Sequence, residues 1–201
     1  MDRRENLYLA EGDNSDGIHR IRKVNLSTGV ITTIAGGGTG PGIDDTGPAI
    51  AARLGAHLRL SVDKNGNLFI ADADNGKVRR IDALTQIITT VAGGGTSYMD
   101  NQVATSVGLF PVAVDVDAAG NVFIMDWAYP VAIRKVAAGT GIISTVAGFA
   151  VGDPSPTLGD NGPTTAAFLY YPKDLTVDAL GNLFIADTDN QRIRAIRGPV
   201  P

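Results

Sequence analysis

The sequence predicts an all-β protein built from repeated units of four short strands. One motif occurs four times, as ENLYLAEGDN, GNLFIADADN, GNVFIMDWAY and GNLFIADTDN, beginning at residues 5, 66, 120 and 181. The 201 residues also include 25 Gly and 10 Pro but only 6% aromatic residues. This composition is typical of many turns between short strands and does not favour a helical bundle.

The spacing of the motif assigns one set of strands to each copy. Its Asn falls at positions 6, 67, 121 and 182, which are 61, 54 and 61 residues apart, so each copy is one supersecondary unit. Strand a alternates apolar and polar residues, as in LRLSVD (58–63), and a tight Gly turn leads into strand b. Strand c follows, as in VRRID (78–82), and then the β-branched strand d, as in IITTVAG (87–93). Four strands joined in this order form one blade of a β-propeller.

The unit resembles the NHL repeat, in its long bacterial form with an extended Gly-rich segment after strand d. The resemblance is carried by GNLFIADADNGKVRRID (66–82), GNVFIMDWAYPVAIRKV (120–136) and GNLFIADTDNQRIRAI (181–196). It implies a propeller whose complete ring holds about six blades and whose ligands bind over one face, around the central axis. It does not imply one activity, because propellers carry unrelated functions.

Both ends of the chain lack a strand of this pattern. Only five residues precede the first strand b and only GPVP follows the last strand c, so the first unit lacks strand a and the fourth lacks strand d. The predicted fold is an all-β propeller of four NHL-type motifs with about 14 strands, in one partial domain over residues 1–201. Its units span approximately 1–36, 58–93, 112–148 and 173–201, with long loops between them.

An unclosed arc would leave blade faces and a sheet edge in water, which folded proteins avoid. We therefore predict association. Either two copies close a ring as a homodimer or the chain is part of a larger propeller, and a strained ring of four blades is the third alternative.

Composition and charge exclude several other partners. The net charge is −4 and the Lys and Arg residues are scattered, so no nucleic-acid partner is predicted. Cysteine is absent, which excludes disulfides and thiolate metal sites but leaves the compartment open. No apolar region follows the N-terminal charges, so neither a signal peptide nor membrane insertion is predicted. Proteins that the sequence resembles often lie outside the cytoplasm.

The residues that depart from the repeat are the main candidates for a ligand site. The b-to-c loops and the long d-to-a segments emerge on one face of the propeller, and long loops of this kind are often functional. In the third unit an aromatic sequence, Trp127-Ala-Tyr129-Pro, replaces the Asp-Asn turn of the other units. Trp127, Tyr129, Tyr98, Tyr170 and Tyr171 are therefore candidate ligand-binding residues, with packing between blades or subunits as the alternative.

The acidic residues allow two interpretations. Asp72 with Asn75, and Asp187 with Asn190, have the offset of side chains that close a turn, so we interpret these Asp residues as scaffold. Asp44, Asp45 and Asp160 precede Ala-rich stretches and are candidate calcium ligands. The alternative is that Asp45, Asp100 and Asp160 cap short helical turns whose Leu54, Leu109 and Leu169 fill the gaps between blades.

The two histidines are the candidates for catalysis. His57 stands at the entrance to an innermost strand and His19 leads into the first strand c, so they could bind a metal or act as acid and base, with solvated histidines as the alternative. No catalytic serine elbow, zinc motif or phosphate loop is present in the sequence.

The sequence favours a noncatalytic scaffold that binds a protein or glycan through its loop-rich face. By resemblance, the alternative is a lyase or lactone hydrolase with an axial His/Asp site. Calcium or another divalent cation is the one cofactor considered. Such enzymes draw histidines from several blades, and this chain has two. The third interpretation is a structural module of a larger surface protein.

Overall fold

The computed structural model describes residues 5–11, 18–38, 45–128, 130–148 and 158–198. These residues form four antiparallel sheets in chain order, which we call blades 1 to 4. Blade 1 contains β1 (Asn6–Glu11), β2 (Arg20–Asn25) and β3 (Ile31–Gly36). Blade 2 contains β4 (Leu58–Val62), β5 (Leu68–Asp72), β6 (Lys77–Ile81) and β7 (Ile88–Gly93). No helix among the described residues is long and apolar enough to cross a membrane.

Blades 3 and 4 continue the same order of strands. Blade 3 contains β8 (Gln102–Val103), β9 (Pro111–Val116), β10 (Val122–Asp126), β11 (Ala132–Val136) and β12 (Ile142–Gly148). Blade 4 contains β13 (Asp174–Val177), β14 (Leu183–Asp187) and β15 (Arg192–Ile196). Apart from β8, neighbours in sequence within each blade pair as an up-and-down meander, so the prediction of an all-β propeller is confirmed.

The described strands number fifteen rather than the 14 predicted, because β8 is an additional strand. It belongs to the segment that connects blades 2 and 3, and it pairs with the outer edge of β12, Val103 opposite Ile142. The segment before blade 2 does the same with a single bridge between Pro48 and Ile87. Each segment therefore covers the outer edge of the blade that follows it, where unpaired backbone groups would otherwise face water.

The repeated Asn of the motif ties two turns of a blade together. In blade 2, Asn67 donates its side-chain amide to Asp63 at 2.7 Å and accepts a hydrogen bond from the backbone N–H of Ala83 at 3.0 Å. Asn121 and Asn182 make the equivalent bonds in blades 3 and 4. The side chain joins the a-to-b turn to the c-to-d turn, which explains why the repeat places Asn there.

The core consists of three apolar clusters, one between each pair of successive blades. Leu54, Leu109 and Leu169 are buried one in each cluster, as the sequence predicts. No fourth cluster joins blade 4 to blade 1 within the described ranges, so the described blades form an arc and not a closed ring.

The short turns that precede strand a are 3₁₀ helices at Ala49–Ala51, Ala104–Ser106 and Thr164–Ala166. The prediction that Asp45, Asp100 and Asp160 cap these turns is wrong. Pro48, Val103 and Pro163 occupy the cap positions, and no side chain caps any of the three turns. The aspartates instead face cationic side chains of strand c.

Candidate functional site

The loop face, defined as the end of the blades that carries the b-to-c loops and the starts of strands a, is held by buried carboxylates. Asp72, Asp126 and Asp187 end strand b of blades 2 to 4, and all three are buried. Each accepts a hydrogen bond from a backbone N–H of the segment before strand a, at 2.8–3.0 Å; the donors are Gly55, Phe110 and Tyr170. Asn75 and Asn190 donate to Asp72 and Asp187 at 2.9 Å. These bonds agree with the scaffold interpretation of the three aspartates.

Burial has a clear electrostatic effect on two of these carboxylates. It raises the pKa of Asp72 and of Asp126, although hydrogen bonds and the nearby arginines act in the opposite direction.

An arginine of strand c, buried in blades 2 and 3 and partly buried in blade 4, connects each of these carboxylates to a second aspartate. Arg79 of β6 lies 3.7 Å from Asp72 and 2.9 Å from Asp45. The corresponding groups in blades 3 and 4 are Arg134 with Asp126 and Asp100, and Arg194 with Asp187 and Asp160. We call each set an Asp–Arg–Asp column. Sequence reasoning missed it, although the recurring Arg of VRRI, IRKV and IRAI was a signal.

Asp45 and Asp160, which we considered as calcium ligands, form ion pairs with Lys and Arg side chains instead. Asp45 also pairs with Lys77 at 2.8 Å and accepts a bond from Thr90. Burial by itself would raise the pKa of Asp45, but Lys77, Thr90 and Arg79 outweigh it and hold the pKa below the usual value. Asp160 pairs with Arg192 and Arg194, and Asp44 lies outside the described residues. Among the described residues, no group of three or more His, Cys, Asp or Glu side chains is placed to hold a metal ion.

The two histidines lie on different blades. The His57 ring is 80% exposed and its Nδ1 lies 2.9 Å from Oδ1 of Asp74. Asp74 also accepts bonds from the backbone N–H groups of Ala56 and His57. Burial would raise the pKa of Asp74, but these hydrogen bonds lower it overall. His19 directly precedes β2, and its Nδ1 is buried without a hydrogen-bond partner among the described residues.

Three of the five candidate aromatic residues meet on the loop face. The Trp127 ring contacts the Tyr171 ring edge to face at 5.5 Å, and Tyr171 contacts Tyr170 at 4.9 Å. Phe168, which sequence reasoning missed, stacks against Tyr170 at 6.0 Å. We call these four residues the aromatic patch. It joins the b-to-c loop of blade 3 to the segment that leads into blade 4.

The aromatic patch is partly anchored and partly exposed. Trp127 is partly buried, donates its indole N–H to the Pro172 carbonyl at 2.8 Å and has the Lys173 ammonium 4.4 Å from its ring centroid. Tyr170 and Tyr171 are 47% and 48% exposed.

The other two candidate aromatic residues do not join the patch in the described structure. Tyr98 is 59% exposed and its ring covers Gly108, where an added Cβ would come within 3.0 Å of it. Tyr129 lies outside the described residues.

A cleft of about 380 Å³ lies at the opposite end of the blades, between blades 1 and 2. It is lined by Tyr8 and Lys23 of blade 1, by the a-to-b turn of blade 2 at 63–66 and by Gln86. Its lining includes residues of all three strands of blade 1, so the cleft runs along the seam between the two blades.

Comparison with known proteins agrees with this architecture. A family model described as the NHL repeat matches residues 169–196. The chain carries an NHL repeat. The match covers the end of the connecting segment together with β13 to β15, so this repeat lies in blade 4. No curated protein matches the chain significantly.

Several solved structures share the fold of this chain. A Bacteroides thetaiotaomicron protein of unknown function has a TM-score of 0.71 at 23% identity, covering 95% of this chain and 44% of its own. An auxiliary nutrient binding protein from Bacteroides ovatus has a TM-score of 0.63 at 15% identity, covering 94% and 47%. A streptogramin B lyase has a TM-score of 0.53 at 15% identity, covering 98% and 55%. The chain therefore spans about half the length of these structures, and the similarity shows the fold alone.

Replacing a column arginine tests the structural role of the Asp–Arg–Asp columns. We expect Arg79→Met to lower the free energy of unfolding by about 3–5 kcal/mol, because Asp72 would remain buried without its cation. Arg80→Met is the matched control. Arg80 pairs with Asp82 at 2.7 Å near the surface, and its loss should cost less than about 1 kcal/mol. Urea denaturation of both variants measures the difference, and equal costs would contradict the assignment.

The Asp74 carboxylate should make stability depend on pH. Its pKa is lower in the folded state, so its contribution is present above about pH 4 and is lost as the pH falls through the folded value. We expect Asp74→Asn to destabilise the protein at pH 7 by less than about 1 kcal/mol, because the carboxylate is partly exposed. The difference from the wild type should shrink as the pH falls below about 4 in thermal unfolding.

Asp189→Asn is the control for this experiment. Asp189 has the equivalent place in blade 4, where the described structure shows no histidine bonded to it. A pH-independent effect of Asp74→Asn, or an equal effect of the two substitutions, would contradict the role of the His57–Asp74 pair.

Proposed function

We propose that the chain is a noncatalytic propeller scaffold that binds a partner protein through the aromatic patch on its loop face. The observation that supports this proposal most is the pair of half-exposed rings, Tyr170 and Tyr171, supported by the partly buried Trp127. Tyr and Trp dominate the binding energy of protein interfaces, because they bury a large area at a small entropic cost.

The backbone beneath the patch is also fixed before any partner arrives. The backbone N–H of Tyr170 donates to the buried Asp187 carboxylate. The backbone N–H of Trp127 donates to the Phe110 carbonyl at 2.9 Å. Side chains that are ordered in advance lose less entropy on binding, so they contribute more to affinity.

The geometry of the rings favours a protein over a glycan. The ring planes of Trp127 and Tyr171 meet at 86°, and those of Tyr170 and Tyr171 at 69°, so the patch is corrugated rather than flat. The indole N–H is already bonded, and Lys173 lies over the ring. A sugar needs a free ring face with polar groups beside it, whereas a protein surface can fill the grooves between rings.

A lyase or lactone hydrolase has less support from the site. His57 is engaged with Asp74 and mostly exposed, and the carboxylates of the columns face arginines. The streptogramin B lyase shares the fold with this chain at 15% identity, which supports no shared activity.

We further propose that other propeller blades cover the two ends of the arc, from a second copy or from the rest of a larger propeller. Ile193 lies on the face of blade 4 that points away from blade 3, here called its outer face, and is 72% exposed. Val78 and Ile133, at the same place in blades 2 and 3, are fully buried against the next blade. On the outer face of blade 1, Leu7 and Leu9 are 37% and 38% exposed. Exposed apolar faces of this kind are typical of protein–protein interfaces.

The double variant Tyr170→Ser/Tyr171→Ser tests the proposed function. Immobilised wild-type protein and variants would be exposed to lysate, and retained proteins compared by quantitative mass spectrometry. We expect a partner whose retention falls at least about tenfold in the double variant, since each lost ring removes a contact worth about 1–2 kcal/mol. Tyr98→Ser, which alters an exposed ring outside the patch, should retain the partner.

Purified partner should also shift the fluorescence of Trp127, the single tryptophan of the chain. If no retained protein depends on the patch, or if glycans and not proteins perturb Trp127, the proposal is wrong.

A further inference from the structure

Four residues that line the cleft between blades 1 and 2 depart from the repeat, and each is more polar than its equivalents. Tyr8 has Phe as its equivalent in the other three units. Lys64 and Asn65 have Ala-Ala and Ala-Leu as their equivalents in the a-to-b turns of blades 3 and 4. Gln86 has Gly as its equivalent in the c-to-d turns of blades 1 and 3. The other blades fold without these polar groups, so their convergence on one cleft indicates a role in binding.

The backbone at Gln86 is strained in a way that the repeat elsewhere avoids. Its φ is 58°, in the left-handed region, and the equivalent Gly29 and Gly141 have φ values of 71° and 68°. Glycine adopts this conformation without steric cost, whereas a residue with a side chain is destabilised there. The Gln86 side-chain N–H donates to the Ala83 carbonyl at 3.0 Å, and its Oε1 has no donor among the described residues. Such strain concentrates at sites that bind ligands, so Gln86 supports a site in the cleft.

The cleft also contains a cation without an anionic partner. Lys23 of β2 lies opposite Tyr8 of β1 and Thr32 of β3, and all three residues line the cleft. It is two residues from Ile21, which is fully buried against blade 2, so both side chains lie on the face of β2 that faces the seam. Among the described residues, no carboxylate forms an ion pair with Lys23. Its ammonium can therefore pair with an anion that comes from outside the chain.

The two other charged groups of the lining are already engaged. The Asp63 carboxylate accepts hydrogen bonds from the backbone N–H groups of Asn65 and Asn67 and from the Asn67 side chain, at 2.7–2.9 Å. The Lys64 ammonium donates to the Ala118 carbonyl of blade 3 at 2.8 Å. Because the charges of Asp63 and Lys64 balance, the lining keeps the single positive charge of Lys23.

The rest of the wall is apolar. Ile34, Leu68 and Ile81 line the cleft, and the ring of Tyr8 packs against the apolar cluster to which they belong. Sites for small molecules typically combine apolar walls with a few polar or charged groups, in a volume of about 300–1,000 Å³. The cleft has this composition, and its volume of about 380 Å³ lies within this range.

We propose that the cleft binds a small organic anion, a carboxylate carried on an apolar or aromatic body. The carboxylate pairs with Lys23, the body packs on the apolar wall, and the polar residues that depart from the repeat select among such carboxylates. The site consists of residues of blades 1 and 2, at the end of the blades opposite to the aromatic patch. It is therefore independent of the partner protein proposed above.

A matched pair of probes tests the requirement for a negative charge. Naphthylacetate and its neutral amide, naphthylacetamide, have nearly the same shape, and NMR titration of the isotope-labelled whole chain measures the dissociation constant of each. We expect saturable shifts at the backbone N–H groups of Gly66 and Gln86. The acetate should bind at least about tenfold more tightly than the amide, because charge-assisted hydrogen bonds are stronger than neutral ones.

Replacing the cation provides the second arm of the experiment. Lys23→Met should weaken naphthylacetate binding at least about tenfold and should remove its advantage over the amide. Lys135→Met is the matched control, because Lys135 lies opposite Phe123 in blade 3 as Lys23 lies opposite Tyr8 in blade 1. This control should leave both dissociation constants unchanged.

Three results would overturn the proposal: no saturable shift with naphthylacetate, equal affinities of the wild-type chain for the two probes, or equal losses in the Lys23→Met and Lys135→Met variants. The comparison of the two probes on the wild-type chain decides the question even if Lys23→Met does not fold.

Discussion

Every blade of this protein depends on a neighbour to bury its two apolar faces. A four-stranded sheet alone exposes both faces to water, and the stable solution is to pack the next sheet against it. Ile88 and Ile143, in the outermost meander strands of blades 2 and 3, are fully buried only because a connecting segment and a neighbouring blade close over them. Where that cover is missing among the described residues, the same side-chain types are exposed, as Ile31 (46%) and Ile193 (72%) are.

The Asp–Arg–Asp columns connect this packing to the loop face. Each column arginine reaches both the end of strand b and the connecting segment at the rim of the blade, so one buried cation fixes two elements that are far apart in sequence. The same strand-end carboxylates hold the backbone N–H groups of Phe110 and Tyr170. The interactions that hold the blades together thus also fix the backbone of the aromatic patch, which gives this surface a fixed shape.

The sequence was sufficient to predict the features that depend on local chemistry. The repeat predicted the strands, the Asp72–Asn75 and Asp187–Asn190 turns, and the burial of Leu54, Leu109 and Leu169, because each follows from a pattern within one unit. Strand β8 was not predictable in this way, since two residues become a strand only when the edge of β12 is available. The Trp127–Tyr171 contact was not predictable either, because it joins two blades. The same holds for Asp45 and Asp160, because the arginines that they pair with lie more than thirty residues further along the chain.

The central claim is that the ends of the arc are blade interfaces that require a neighbour, and the mass in solution tests it most directly. Light scattering coupled to size exclusion, over a range of concentrations, should show the wild-type chain associating to at least twice 20.9 kDa. Ile193→Lys, which places a charge on the outer face of blade 4, should shift the equilibrium towards the monomer. A wild-type chain that remains a monomer of 20.9 kDa at every concentration would contradict closure by a second copy, and an Ile193→Lys variant that associates as strongly as the wild type would contradict the role of the blade 4 face.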